Sequence, residues 1–456
     1  MTFDYDLFVI GAGPGGVAAA KQAATYGVRV GIAEREAIGG TCVNRGCIPK
    51  KFIVYAADFA LHDRAATSYG WSECDREFDW SRFIAAVHQQ VEQRRQSFLK
   101  KLEQAGIDVI QGEATFIDPH TVAIDKRKIT ADKILIAVGG KAIKPQKISG
   151  IEYAITSRQM FELPQLPQRL VIVGGGYIGV EFSSMMNAFG VEVTLMDRDE
   201  TILSGFDDDV RAGVQQGLCQ RGIKFLGNTT AKEIRRDSEG LQVVLSGDST
   251  QTIPADTILF ATGRSPNAEN LGLENAGVEL GDKGAKVASR TAFGIAVNSN
   301  SRTNQAHIYA VGDCTNRKQL TPVARAEGRA VAQTIFDNKS PQINYNFIPA
   351  AVVARPEAAA VGMTEAQARE KFGDAVQCYC TQFEPLFYSM TNQSEQAMMK
   401  LVVDGNSDRV LGAHMVGDRA AEIIQSLAVA IQQGATKQDL DANLGIHPLP
   451  EKSSSC

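Results

Sequence analysis

The chain has 456 residues, 44% hydrophobic and 22% charged, with a formal net charge of −5. That composition fits a soluble globular protein, and the length exceeds one ordinary core and predicts about three domains. The acidic balance argues against a nucleic-acid or anionic-membrane partner, and no apolar run approaches the ~18 residues of a membrane span. A strand begins almost at once at Tyr5, which is expected to leave no room for a signal or transit peptide. Eight cysteines in a chain this long do not make a disulfide scaffold. Cys74, Cys219, Cys314, Cys378 and Cys380 are therefore expected to be reduced structural thiols in a cytoplasmic protein, where a disulfide is usually catalytic.

In chain order, the apolar run Leu7-Phe8-Val9-Ile10 predicts a strand that ends in Gly11-Ala12-Gly13-Pro14-Gly15-Gly16. A small-residue helix follows over Val17 to Tyr26, Gly27 ends it, and a second strand over Val28 to Ala33 stops at Glu34. Gly11, Gly13 and Gly16 form G-x-G-x-x-G between strand and helix, with an acid about 20 residues on. The glycines let a backbone approach a pyrophosphate at the helix N-terminus, and Glu34 is placed to accept from a ribose hydroxyl.

Next comes Gly39-Gly40-Thr41-Cys42-Val43-Asn44-Arg45-Gly46-Cys47-Ile48-Pro49-Lys50-Lys51. Five residues on a regular helix place two side chains roughly 140° apart, poor geometry for a disulfide. If Cys42 and Cys47 pair, the helix must be distorted, and a strained, accessible disulfide is the easily reduced kind. Lys50 and Lys51 would favour a thiolate nearby.

A second strand-and-glycine unit begins at Leu170-Val171-Ile172-Val173 and runs into Gly174, Gly176 and Gly179. Its helix reaches Phe189, Gly190 ends it, and Val191 to Met196 is the next strand, followed by Asp197 and Arg198. The two fingerprints, about 160 residues apart, read as a duplicated dinucleotide-binding fold. Pro145 to Gly150 and Leu163 to Pro167 read as the link into the second copy. After about Asn338 strands and helices are mixed.

The cysteine string resembles the redox motif of the flavin-dependent pyridine nucleotide-disulfide oxidoreductases, and is especially similar to that of the glutathione reductases. The resemblance implies an α/β chain: two Rossmann-like FAD- and NAD(P)-binding domains plus a C-terminal α+β dimerisation domain. Its boundaries would fall at residues 1–148 (FAD, first segment), 149–266 (NAD(P)H), 267–337 (FAD, central segment) and 338–456 (interface). It implies FAD on the first fingerprint, with Thr41, and with Lys50 near flavin N5. Asp313, ending Thr303 to Gly312, matches the ribityl-contacting aspartate, and Ile134 to Gly140 matches the strand that closes the first FAD segment. Tyr177 matches the tyrosine that covers the flavin, Glu181 the glutamate paired with Lys50, and Ala261-Thr262-Gly263-Arg264 the strand returning from the second domain.

The donor is ambiguous in the same comparison. Arg198 matches the first of two arginines of NADPH-using members, and the second falls on Ser204. Asp197 lies where NAD-using dihydrolipoamide dehydrogenases place an acid, and Asp199 and Glu200 add charge that repels a phosphate. NADPH is expected, with NADH as the alternative.

Leu320-Thr321-Pro322-Val323-Ala324 and Phe383-Glu384-Pro385 resemble segments of glutathione-type reductases, which implies oxidised glutathione or a similar small disulfide as substrate. Arg329 and Lys21 match carboxylate-binding positions, the latter an arginine in the family. Phe98 replaces a tyrosine near the substrate, Pro14 replaces a serine, and Arg325 is a charge at a usually apolar position.

His447-Pro448 matches the catalytic histidine that reaches across a homodimer. The glutamate that orients it falls on Lys452, so Glu451 is the nearest candidate, and the tail from Leu449 to Cys456 diverges. By the same match Cys47 is the flavin-side thiolate and Cys42 the thiol that attacks substrate. Dihydrolipoamide dehydrogenase, a reductase of a modified glutathione, and a flavoprotein that has lost turnover are the rival readings.

Overall fold

The computed structural model describes residues 2–73, 77–238, 240–281 and 293–446. The chain divides into two compact units, one of Met1–Phe52, Ser81–Ile143 and Gly263–Ile343, the other of Ile53–Trp80, Lys144–Thr262 and Asn344–Cys456.

In the first unit the strand Tyr5–Ile10 pairs in parallel with Val30–Glu34 on one side and with the second half of Arg127–Ile136 on the other. Asp108–Gln111 extends one edge and Ile308–Ala310 the other, both parallel. The first half of Arg127–Ile136 turns instead into an antiparallel meander with Thr121–Ile124 and Ala114–Asp118. Successive residues of Leu7-Phe8-Val9-Ile10 enter opposite cores: Leu7 and Val9 pack with Val17, Ala20 and Leu102, while Phe8 and Ile10 pack with Phe116, Ile134 and Ile136. That two-sided burial is why the strand reads as an unbroken apolar run. Helix Pro14–Ala24 lies against helix Thr321–Phe336 so closely that a Cβ on Gly328 would meet the Gly15 carbonyl oxygen at 2.2 Å.

The second unit repeats the plan. Strands Lys224–Leu226, Glu192–Met196, Arg169–Val173, Thr257–Phe260 and Ile155–Thr156 form a parallel sheet in that order. A three-stranded antiparallel sheet, Thr229–Asp237, Gly240–Gly247 and Thr252–Ala255, packs on it through Ile234, Val243 and Leu245. A separate antiparallel sheet of five strands, with Arg409–Val416 at its centre, carries helix Ala420–Gln433 on one face. Its Lys400 is buried and holds Asp207 at 2.9 Å, Asp209 at 2.6 Å and Glu365 at 2.7 Å. Three carboxylates around one ammonium satisfy charges that would otherwise be costly to bury. Asp58 and Arg355 form a two-pronged pair at 2.8 and 2.7 Å. His414 is buried, its Nε2 donating to the Met363 carbonyl, a structural role.

Candidate active site

The cysteine motif folds as two helices. Gly40–Arg45 stops at Gly46, whose φ of −153° and ψ of −119° leave the helical region, and Cys47 opens a new helix to Ala66. That break swings the two side chains together, and the Cys42 and Cys47 thiols hydrogen-bond to each other. Both are thiols here. Gly46 suits the break because a Cβ there would meet the Thr41 carbonyl oxygen at 2.8 Å. The Asn44 amide pins the approach, donating to the carbonyls of Ala37, Ile38 and Gly40, while its oxygen accepts from Arg95 at 2.5 Å. The Thr321 hydroxyl stands 3.6 Å from Cys47 Sγ.

The pair is electrostatically unequal. The hydrogen bond from Cys42 pulls the Cys47 thiol down to about 6 against the cost of burial, with Thr321 and the Lys50 charge adding. Cys42 is pushed up by its bond to Cys47 and by burial, so the proton stays on Cys42. Cys47 is therefore thiolate above about pH 6 and loses nucleophilicity about tenfold per unit below it. Alkylation of Cys47 by iodoacetamide, followed by mass spectrometry across pH, is expected to reach half its maximal rate near pH 6. A midpoint near that of an ordinary thiol, about 8.5, would contradict this asymmetry.

The motif is stitched onto the first glycine turn. Gly39 N–H donates to the Ala12 carbonyl at 2.8 Å, and a Cβ on Gly40 would meet Gly13 Cα at 2.8 Å. In the turn itself, Gly11 has φ +105° and a Cβ there would meet the Ala137 carbonyl oxygen at 2.6 Å, while Gly16 would strike the Gly11 oxygen at 2.0 Å. Gly13 differs: its Cβ would reach only Gly40 Cα, at 3.9 Å. Packing thus requires the outer glycines, and the middle one keeps an approach open. Helix Pro14–Ala24 begins with no side-chain cap and no acid in its first turn, so its N–H groups face outward for an anion. Glu34 accepts from Ala12 N–H at 2.9 Å and Glu36 N–H at 2.8 Å. These features fit a dinucleotide. At the end of strand Ile308–Ala310, Asp313 pairs with Arg264 at 3.2 Å, and Arg264 also donates to the Gly140 carbonyl at 2.7 Å.

The second glycine turn is built the same way. Gly174 would strike the Ala261 carbonyl oxygen at 2.5 Å, Gly179 the Gly174 oxygen at 1.9 Å, and Gly176 has nothing within 4 Å. Helix Tyr177–Ala188 likewise lacks a side-chain cap or a first-turn acid. Asp197 repeats the bracing of Glu34, accepting from Gly175 N–H and from Asp199 N–H. Arg198 is exposed beside Asp199 at 3.7 Å. Tyr177 is 42% exposed, and the buried Glu181 accepts from Val353 N–H at 2.9 Å.

Lys21, Arg325 and Arg329 are exposed, and Phe98 is half-buried against the core that includes Leu102 and Ile107. His447, Glu451, Lys452 and Cys74 lie outside the described residues. Among the described residues no group of side chains is arranged to hold a metal, and no helix is long and apolar enough to cross a membrane. Neither the contact of Thr321 with Cys47 nor the bracing by Asn44 is expected from the motifs. The only signal for Thr321 was its place in Leu320-Thr321-Pro322-Val323-Ala324; for Asn44 it was its position between the cysteines.

Two glycine turns of one design and a thiol pair docked on the first define a nucleotide-dependent disulfide oxidoreductase. The chain belongs to the pyridine nucleotide-disulphide oxidoreductase family, whose pattern matches residues 5–328, and its dimerisation domain matches residues 348–453. It is 50% identical over 450 residues to a glutathione reductase of Nostoc sp., covering 98% of both chains. It is 41% identical to one from Burkholderia cepacia, over 98% of this chain and 96% of the relative. It is 38% identical to the chloroplastic/mitochondrial glutathione reductase of Pisum sativum, over 98% of this chain and 81% of that one.

Proposed function

We propose that the protein is an NAD(P)H-dependent, FAD-containing reductase of oxidised glutathione, acting as a cytoplasmic homodimer. The observation that carries this reading is the Cys42–Cys47 thiol pair, joined across the Gly46 break and fixed to the first glycine turn. Residues 1–148 and 267–337 form the FAD-binding segments, 149–266 the NAD(P)H domain and 338–456 the dimer interface. Gly11, Gly13, Gly16, Glu34, Thr41, Asp313 and Arg264 hold FAD, with Lys50 on the flavin side. Gly174, Gly176, Gly179, Asp197 and Arg198 hold the nicotinamide nucleotide, and Tyr177 and Glu181 serve that side. When bound, FAD supplies a two-electron relay between a nicotinamide hydride and a disulfide.

The chain's own residues do the rest. Cys42 gives its proton to the partner subunit's His447, and its Sγ attacks one sulfur of the substrate disulfide, forming a mixed disulfide as the substrate S–S bond breaks. The departing thiolate takes a proton from the partner subunit's His447, oriented by Glu451. Cys47, as thiolate, attacks Cys42 Sγ, closing the Cys42–Cys47 disulfide and releasing the second substrate half as a thiolate, which takes its proton from water. Lys21 and Arg329 bind substrate carboxylates, and Phe98 lines the substrate side.

NADPH is the proposed donor, on Arg198. A second reading, NADH, draws on Asp197, which is braced as Glu34 is and so stands where a ribose-binding acid stands. Steady-state oxidation of NADPH and NADH with oxidised glutathione tests both. Turnover with NADPH in excess is expected, a preference for NADH would favour the second reading, and turnover with neither would overturn the proposal.

A further inference from the structure

Helix Thr321–Phe336 presents Thr321 to Cys47 at its first residue and, six residues on, buries Glu327, which is 1% exposed. A carboxylate so placed is costly unless both oxygens are matched. Both are. Oε2 accepts from Gly312 N–H at 2.7 Å, and Oε1 pairs with Arg317 at 2.9 Å. Arg317 is itself held by Ser301 Oγ at 2.8 Å and Thr315 Oγ1 at 3.4 Å.

Gly312 is the hinge of the turn that aims Asp313. It leaves strand Ile308–Ala310 with φ +75°, and residues Gly312–Thr315 form a single tight turn. The turn is thus bracketed by two carboxylate–guanidinium pairs, Asp313 with Arg264 and Glu327 with Arg317. Cys314 between them is fully buried, and its thiol is pushed up to about 12 by that burial, with the Asp313 and Glu327 charges adding.

We propose that Glu327, with Arg317, is a positioning residue for FAD. It fixes the Gly312 N–H and so the direction of Asp313, and it ties the FAD-binding turn to the helix whose first residue meets the flavin-side thiol. This rests on the FAD reading given above. Nothing in the fingerprint marks Glu327, since its partners come from the preceding strand end and turn.

The test is FAD titration of the flavin-stripped protein, followed by flavin fluorescence, with thermal unfolding of the flavin-free form in parallel. Glu327→Gln and Arg317→Met are each expected to raise the FAD dissociation constant about tenfold or more, as for a lost charge-assisted contact. The flavin-free melting points should change far less. The double variant Glu327→Gln/Arg317→Met should bind FAD more tightly than Arg317→Met alone, because it leaves no buried carboxylate without its cation. If Arg317→Met does not fold, Arg317→Lys carries the comparison, with an intermediate loss expected. Dissociation constants within twofold of the parent in both single variants overturn the proposal. So does a weakening matched by an equal loss of flavin-free stability. A parent chain that takes up no FAD at all would overturn the flavin reading itself, a result distinct from any difference between variants.

Discussion

Cys42→Ser is expected to abolish NAD(P)H-dependent reduction of oxidised glutathione, by roughly three orders of magnitude or more, while reduction of the flavin by NAD(P)H survives. The serine hydroxyl keeps a hydrogen-bond donor toward Cys47 but cannot form a mixed disulfide, so the covalent route is removed and not merely slowed. The bond between the two thiols and burial push Cys42 up, while the same bond pulls Cys47 down to about 6, which makes the two positions chemically distinct. Reduction of an artificial one-electron acceptor such as ferricyanide should therefore persist in the variant, showing that nucleotide binding is intact. Glutathione turnover within tenfold of the parent would sink the proposed mechanism.

Arg198→Ala is expected to lower kcat/KM for NADPH by about 10- to 100-fold, the loss of a charge-assisted hydrogen bond to a phosphate, and to leave NADH within about twofold. The site gives an unusually clean readout. Arg198 is 66% exposed, and its ion pair with Asp199 is a surface contact at 3.7 Å. Such pairs contribute little to stability, so the variant should melt with the parent. Asp197 is the poorer target, because truncating it would free the N–H groups of Gly175 and Asp199 as well as altering ribose contacts. NADPH kinetics unchanged in Arg198→Ala would remove the basis for the NADPH assignment.

Both glycine turns were legible because their constraints are local. Gly11 and Gly174 take positive φ, and Gly16 and Gly179 lie where any side chain would strike the backbone five residues earlier. Strand and helix limits moved by two or three residues: the helix expected from Val17 to Tyr26 spans Pro14–Ala24, since Pro14 can begin a helix where no N–H partner is needed. The cysteine spacing carried a conditional inference, that pairing needs a broken helix, and the break is at Gly46.

The sequence by itself determined the two nucleotide turns, the acids that follow them and the reactive pair, because each depends on residues within about one strand-turn-helix unit. Tertiary structure alone decided which distant groups complete those parts. Thr321 reaches Cys47 across 274 positions, Arg355 meets Asp58 across 297, and Glu327 caps Gly312 from a helix whose outer face reads as ordinary polar surface. Periodicity reports which face of an element is buried, but it does not report which buried polar group meets which. That pairing follows from how the sheets stack and where each strand ends, and it is fixed only when the chain has closed around the charges it must satisfy.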